Sequence, residues 1–315
     1  MNRTNHPAVG RRSVLTQTAL AAASFAAIAP VAAAPPRRIK LDFTNPKDLI
    51  VAQMKMDGDL TENKEVVSYM KGIVYGIFDD GKKLEPMFYA GSLAFSRSFK
   101  VDDTTYKNMS NFTICYMDLT TGEVLEEWYN PWLEKKLKVV NYASTLHTII
   151  KPMQPINDHT KLRVEWQVEG NDVIRWSDGQ IKKKNPITPD KWPKASVGEY
   201  YYKNQSGQCV ARLDELENPD LTTVQTVTLG QRHGPWYPWQ QMGQAPGRTY
   251  RRDVSRKAAS MADVPGPIPK YAAKHFSNFM SAPKEWTGVY MDPETLWAET
   301  MPPEVGSPTP AKKGS

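Results

Sequence analysis

The sequence predicts a mainly β protein: an antiparallel curled sheet or β-barrel with short helices at its periphery and C-terminal end. Three observations predict it. From about Val66, segments rich in Val, Ile, Thr and aromatic residues recur at hairpin spacing between turn signals. Within 162–170, LRVEWQVEG, apolar and polar residues alternate without a break over eight positions, the pattern of a half-buried strand. Few helical stretches separate these segments, which disfavours parallel βαβ units and favours a sheet that curls or closes.

Taken in order, a short helix opens at Asn45-Pro46 and runs to about Lys55, with Pro at a position where its missing N–H costs nothing. VVSYMKGIVYGIF then ends at Asp79-Asp80-Gly81, MFYAGSLAFSRSF at Asp102-Asp103, NFTICYMDL at Thr121-Gly122 and EVLEEWYN at Pro131. A further strand is read in KLKVVNYASTLHTII, 136–150. In 162–170, Leu162, Val164, Trp166 and Val168 form the apolar face, and Gly170-Asn171 supplies a tight turn into DVIRWSDGQ. GEYYYKNQSGQCVARL and LTTVQTVTLGQRH complete the strand series. The C-terminal third changes texture: ADVPGPIPKYAAKHFSNFM and MDPETLWAETM suggest helices packed on the sheet or its mouth. The expected organisation is a signal over 1–33, a linker over 34–44, one β-rich domain over 45–300 and a disordered tail over 301–315.

The first 33 residues contain Arg3, Arg11 and Arg12 and no acid, then a moderately apolar, Ala-rich run that is too short and weak for a good membrane span. Val31-Ala32-Ala33 fits the small-residue cleavage rule, with the cut after Ala33. Arg11-Arg12 followed by Ser13, Val14 and Leu15 reads as a twin-arginine signal, which exports chains already folded. An ordinary secretory signal with a chance Arg pair, or an uncleaved anchor, is the alternative. The expected address is the periplasm, with no stable membrane insertion after cleavage.

The formal charge is +6, three of it in the signal's arginines, which leaves a mild +3 and no nucleic-acid signature. Arg248, Arg251, Arg252, Arg256 and Lys257 form a basic cluster, read as a solvated face. Cys115 and Cys209 form no metal pattern. A folded-export substrate does not depend on a disulfide, so two core thiols are favoured over a bridge. Dinucleotide, P-loop, zincin and nucleophile-elbow motifs are missing, and no two histidines stand at metal-ligand spacing. Neither a metal nor an organic cofactor is expected.

Chemistry is sought in the remaining titratable groups. His147, in a strand, is a candidate general base if it faces a barrel interior, and a satisfied core histidine otherwise. His159 reads as a turn residue and His275 as a helix-face residue. The most unusual stretch is GQRHGPWYPWQQMGQAPG, 230–247, where prolines and glycines preorganise Trp236, Tyr237, Trp239 and Met242 beside Arg232 and His233. It suits gripping an aromatic ligand, or else plugging one end of a barrel. Trp128, Trp192 and Tyr201 are placed at a similar rim.

WYNPW (128–132), PDKWPKASVGEYY (189–201), ENPDLTTV (217–224) and RHGPWYPWQQMGQAPG (232–247) resemble the proteins grouped as domain of unknown function 1838, over roughly 43–297. The resemblance implies an architecture and singles out that loop; it implies no reaction. The residues themselves point to a cofactor-independent lyase or isomerase acting by proton transfer on a hydrophobic, aromatic small molecule of lignin or phenolic type. Catalytic roles fall to His233, His147, Arg232 and Tyr237, and substrate contacts to Trp236, Trp239, Trp192, Tyr201, Trp128 and Met242. A periplasmic carrier for an apolar aromatic ligand needs the same pocket without a base. A homo-oligomer is compatible with either.

Overall fold

Residues 38–78, 84–152 and 160–304 are described in the computed structural model, all within one compact unit. The signal and its cleavage site, the Asp79-Asp80-Gly81 turn, His159 and the last residues of the tail lie outside them. The first helix, α1 (Pro46–Asp57), begins as the sequence predicts: Asn45 caps it, its Oδ1 accepting the Lys47 amide at 3.0 Å.

Eleven strands follow among the described residues: β1 (Val66–Ile77), β2 (Glu85–Asp102), β3 (Thr105–Met117), β4 (Glu127–Asn130), β5 (Lys135–Lys138), β6 (Tyr142–Ile150), β7 (Thr160–Glu169), β8 (Asp172–Lys184), β9 (Tyr200–Arg212), β10 (Val227–Gly234) and β11 (Arg248–Ala258). Nine form one sheet in the order β6-β3-β2-β1-β11-β10-β9-β8-β7, and β4-β5 is a separate hairpin. Every pairing is antiparallel. The Gly170-Asn171 turn joins β7 to β8 with Glu169 opposite Asp172. Residues from both wings of the sheet line one cavity, among them Phe112 of β3, Tyr142 of β6, Leu162 of β7 and Ile181 of β8. The sheet is therefore curled into a half-barrel, in agreement with the expected fold class.

Side chains alternate across a strand. Along β11 the inward residues are Thr249, Arg251, Asp253, Ser255 and Lys257, running from one end of the half-barrel to the other. At the Lys257 end α1 lies against the sheet. Ile50 and Met54 pack on Tyr106, while Ala52 and Met56 join Cys209, Val224 and Leu216 of the one-turn α2 (Leu213–Leu216). Lys257 donates to the carbonyls of Lys55 and Gly58 and to Thr223. At the Thr249 end, 18 buried aromatic and apolar residues make the largest core cluster among the described residues. The outer face of β2 and β3 is covered by α3 (Ile268–His275), where Leu93, Phe95 and Cys115 meet Ile268 and Ala272. Cys115 and Cys209 are buried free thiols in different clusters, and burial pushes the Cys115 thiol up to about 12.

The chain then returns to the open side of the half-barrel. Tyr290 bridges to Leu146 on the free edge of β6, and the His147 amide donates to the Val289 carbonyl at 2.7 Å. After this edge segment comes α4 (Pro293–Thr300), capped by Asp292. Lys183 of β8 reaches across to Asp292 at 2.7 Å and to Glu294, so the C-terminal segment ties one wing of the sheet to the other.

Candidate functional site

The cavity enclosed by the sheet and this C-terminal segment has a volume of about 450 Å³, within the range of small-molecule sites. Its charged lining includes Arg251 of the basic cluster, which is buried here and not on the solvated face expected of it. Arg232 of β10 and Arg251 of β11 are direct cross-strand partners on the inner face. Asp253 sits two residues along and accepts from Arg251 Nε at 2.7 Å. Gly230, opposite Asp253, makes this possible: a Cβ there would lie 2.5 Å from the carboxylate oxygen. Lys203 of β9 completes the set. A narrower annex below is lined by Tyr116, Tyr142, Tyr201, Tyr237 and Glu294 together with these cations.

The surroundings set the charge states. Burial brings the Lys203 ammonium down to about 8, with Arg232, Lys183 and Arg251 adding to the effect and Glu294 opposing it. Arg232 is lowered first by the Arg251 guanidinium and then by burial. Burial raises Tyr116, Tyr142, Tyr201 and Tyr237, so all four remain neutral O–H donors at physiological pH. The chamber thus combines a lysine poised near neutrality, two guanidinium groups and several phenolic donors.

The aromatic loop forms the floor of this chamber. β10 extends to Gly234, so His233 belongs to a strand and only 235–247 is loop. Pleating consequently puts Arg232 and His233 on opposite faces. Arg232 lines the chamber, whereas His233 stacks on Tyr250 at 4.6 Å on the outside, beside a groove of about 550 Å³. His147 is also on the outer face. Its Nδ1 accepts from the Thr287 and Gly288 amides, both at 3.0 Å, and its ring stacks on Trp286. These bonds fix the neutral tautomer with hydrogen on Nε2. Neither histidine reaches the chamber, which corrects the expectation that one of them supplies an inward base.

Trp236, Trp239, Trp192, Trp128 and Met242 are buried core. Trp239 packs on Phe88, Tyr116 and Trp128, while Trp236 packs on Phe78 and Trp132 and donates to the Ala245 carbonyl. They plug one end of the half-barrel and present Tyr237, with Tyr201 beside it, to the annex. Three of the four strings that carry the family resemblance converge here. Asn130 of WYNPW donates to the Gln240 carbonyl, and the 189–201 stretch accepts the Gly243 amide at Lys194 O and the Gln244 side chain at Ser196 O. Gly243 fits so closely that a Cβ would stand 2.2 Å from the Ser196 carbonyl. ENPDLTTV lies at the other end, where Thr223 meets Lys257 and α1.

Among the described residues no group of three or more His, Cys, Asp and Glu side chains is placed to hold a metal ion, and no helix is long and apolar enough to cross a membrane. Lys203 and Asp253 are not singled out by the sequence, and Arg251, expected on a solvated face, is buried and inward; strand parity puts Arg251 and Asp253 in one inward row of β11, and Lys203 joins them from β9.

Two solved structures are similar at low identity. The Ail attachment invasion locus protein of Yersinia pestis is 10% identical, with a TM-score of 0.25 over 62% of this chain and 98% of that one. A protein with a YmcC-like fold from Bacteroides fragilis is 9% identical, with a TM-score of 0.19 over 61% and 96%. No curated protein matches the sequence. The family of proteins of unknown function DUF1838 matches residues 63–297, which hold the sheet, the aromatic floor and the chamber lining alike, and the chain belongs to that family.

Proposed function

We propose that the chamber is the active site of a periplasmic, cofactor-independent lyase or isomerase that moves a proton on a small aromatic molecule of phenolic type. The observation that carries this reading is Lys203, held near neutrality at the mouth of a tyrosine-lined annex beside Arg232 and Arg251. Its free amine is a general base at the pH where it is needed. The two guanidinium groups face the place where negative charge would develop on an oxygen, and the neutral phenols are matched proton donors.

In the lyase form, Lys203 takes the hydroxyl proton of a hydroxymethyl group attached to a conjugated aromatic framework. The oxygen's electrons form the carbonyl of formaldehyde, the carbon–carbon bond breaks, and the released pair enters the conjugated system. A tyrosine O–H such as Tyr237 then protonates carbon, and Lys203 returns its proton to the phenolate. The isomerase form keeps the carbon–carbon bond and uses the same two groups to take a proton from one carbon and deliver it to another. The periplasmic address rests on the Arg11-Arg12 signal.

The test is turnover of a panel of hydroxymethyl-bearing phenols, followed as formaldehyde release and as a change in ultraviolet absorption. Wild type is expected to gain activity as pH rises through about 8, and Lys203→Met to lose on the order of 10²–10⁴-fold in kcat. If Lys203→Met turns over normally, the base assignment is wrong. Tight binding with no member of the panel consumed would instead favour a carrier.

A further inference from the structure

We infer that the molecule held in the chamber is an aromatic carboxylate, its carboxylate lodged on the Arg232 guanidinium, with Lys203 left as the base. This rests on the reading of the chamber as a small-molecule site and names the class of molecule. The argument is a count of charges and their partners. Arg251 is neutralised by Asp253 at 2.7 Å, and Lys183 by Asp292 and Glu294. Arg232 and Lys203 also line the chamber, yet among the described residues neither has a carboxylate within ion-pair distance. Lys203 has the Tyr201 ring 5.9 Å away and feels the Glu294 carboxylate across the annex, beyond ion-pair distance. Arg232 therefore faces the chamber without a carboxylate partner, and a second guanidinium, Arg251, stands across the ladder from it. Like charges gathered this way are costly without an anion.

The anion's chemistry follows from the donors. A guanidinium presents a planar fork that matches a carboxylate. Beside the charged groups and the hydroxyls of Ser68, Ser92, Ser110 and Ser255, an apolar wall is supplied by Phe112, Ile114, Leu162, Ile181 and Met70 along with Tyr142. Those side chains suit the flat apolar body of an aromatic ring. The arrangement also orients the ligand, because a carboxylate held by Arg232 directs the ring's far side toward either Tyr237 and the annex or the open mouth.

The probes are vanillate and vanillamide, which share a ring and differ in charge, titrated into wild type and into Arg232→Gln with intrinsic fluorescence and calorimetry as readouts. Vanillate is expected to bind about ten-fold or more tightly than vanillamide, with the difference falling to within about two-fold in Arg232→Gln while the melting temperature is retained. Equal binding of the two probes to wild type overturns the carboxylate and leaves the chamber reading standing. Binding of neither probe overturns both. Inorganic phosphate that displaces vanillate at equal concentration overturns the aromatic carboxylate in favour of a simple oxyanion. Lys203→Met separates the inference from the reaction: loss of turnover with vanillate discrimination kept by Arg232 supports it, and loss of turnover with no discrimination in any variant overturns it.

Discussion

Burial drives His147 and Lys203 toward their neutral forms to different ends. His147 is buried on the outer face, and burial lowers its pKa below the ordinary 6.5. The fold thus prefers the neutral ring. In the unfolded chain the imidazole takes up its proton first as pH falls, so the stability His147 contributes is complete above about pH 6.5 and is lost below it, toward the lower folded-state value. His147→Phe keeps the stack on Trp286 but orphans the Thr287 and Gly288 amides. It is expected to cost about 1–3 kcal/mol at pH 7.5 and to flatten the decline between pH 6.5 and 5, as urea unfolding at several pH values would register. Turnover should be unchanged, since the ring points away from the chamber. Lys203 illustrates the opposite use of burial, where a group is kept reactive.

At the scale of elements, most strands are legible in the sequence because one face is apolar and the other wet. β7 and its turn into β8 follow the alternation of Leu162, Val164 and Trp166, which breaks only at Val168, exposed beside the turn. β11 escapes that reading for a physical reason: its inward positions hold Arg251, Asp253 and Lys257, so an apolar period is absent where the sheet faces a polar chamber. The misplacement of His147 and His233 has the same origin. Segment identity was readable, but which face is inward depends on pleat parity relative to a partner strand, and that is fixed only by the register His233–Tyr250 and Met109–His147. The aromatic loop was legible as a rigid unit, and its tryptophans fill the floor.

The tie between α4 and β8 makes a sharper prediction. Glu294 has a side chain only 2% exposed and relies on Lys183. Lys183→Met strands that carboxylate and should cost about 3–5 kcal/mol, read as a lowered Tm and as faster protease cleavage within 286–300. Lys183→Met combined with Glu294→Gln should recover part of the loss, because the buried charge is then gone. Equal melting temperatures for wild type and Lys183→Met would mean that the tie carries no stability.

For the whole molecule, the half-barrel is closed at one end by α1, at the other by the aromatic loop, and along its side by the C-terminal segment. A chamber built in this way exists only in the folded chain, and export after folding is a proposal that the leader's arginines can test. Changing Arg11 and Arg12 to Lys is expected to leave a folded precursor in the cytoplasm, measured by cell fractionation and by protease resistance of the retained protein. Unchanged export of that variant would assign the leader to the ordinary secretory route.

Val67 at the start of β1 pairs with Ala258 at the end of β11, and the side of the half-barrel is supplied by residues later still. A ribosome therefore delivers β1 long before its second neighbour exists, and non-local pairings of this kind form slowly. While the chain is being made, β1 to β6 present an unfinished sheet edge that a chaperone would have to shield. No N-terminal fragment contains a binding chamber, because Arg232, Arg251 and the segment around Glu294 arrive last. Ligand binding in a nascent chain should therefore appear all at once, after synthesis of the final strand and α4, and not build up strand by strand.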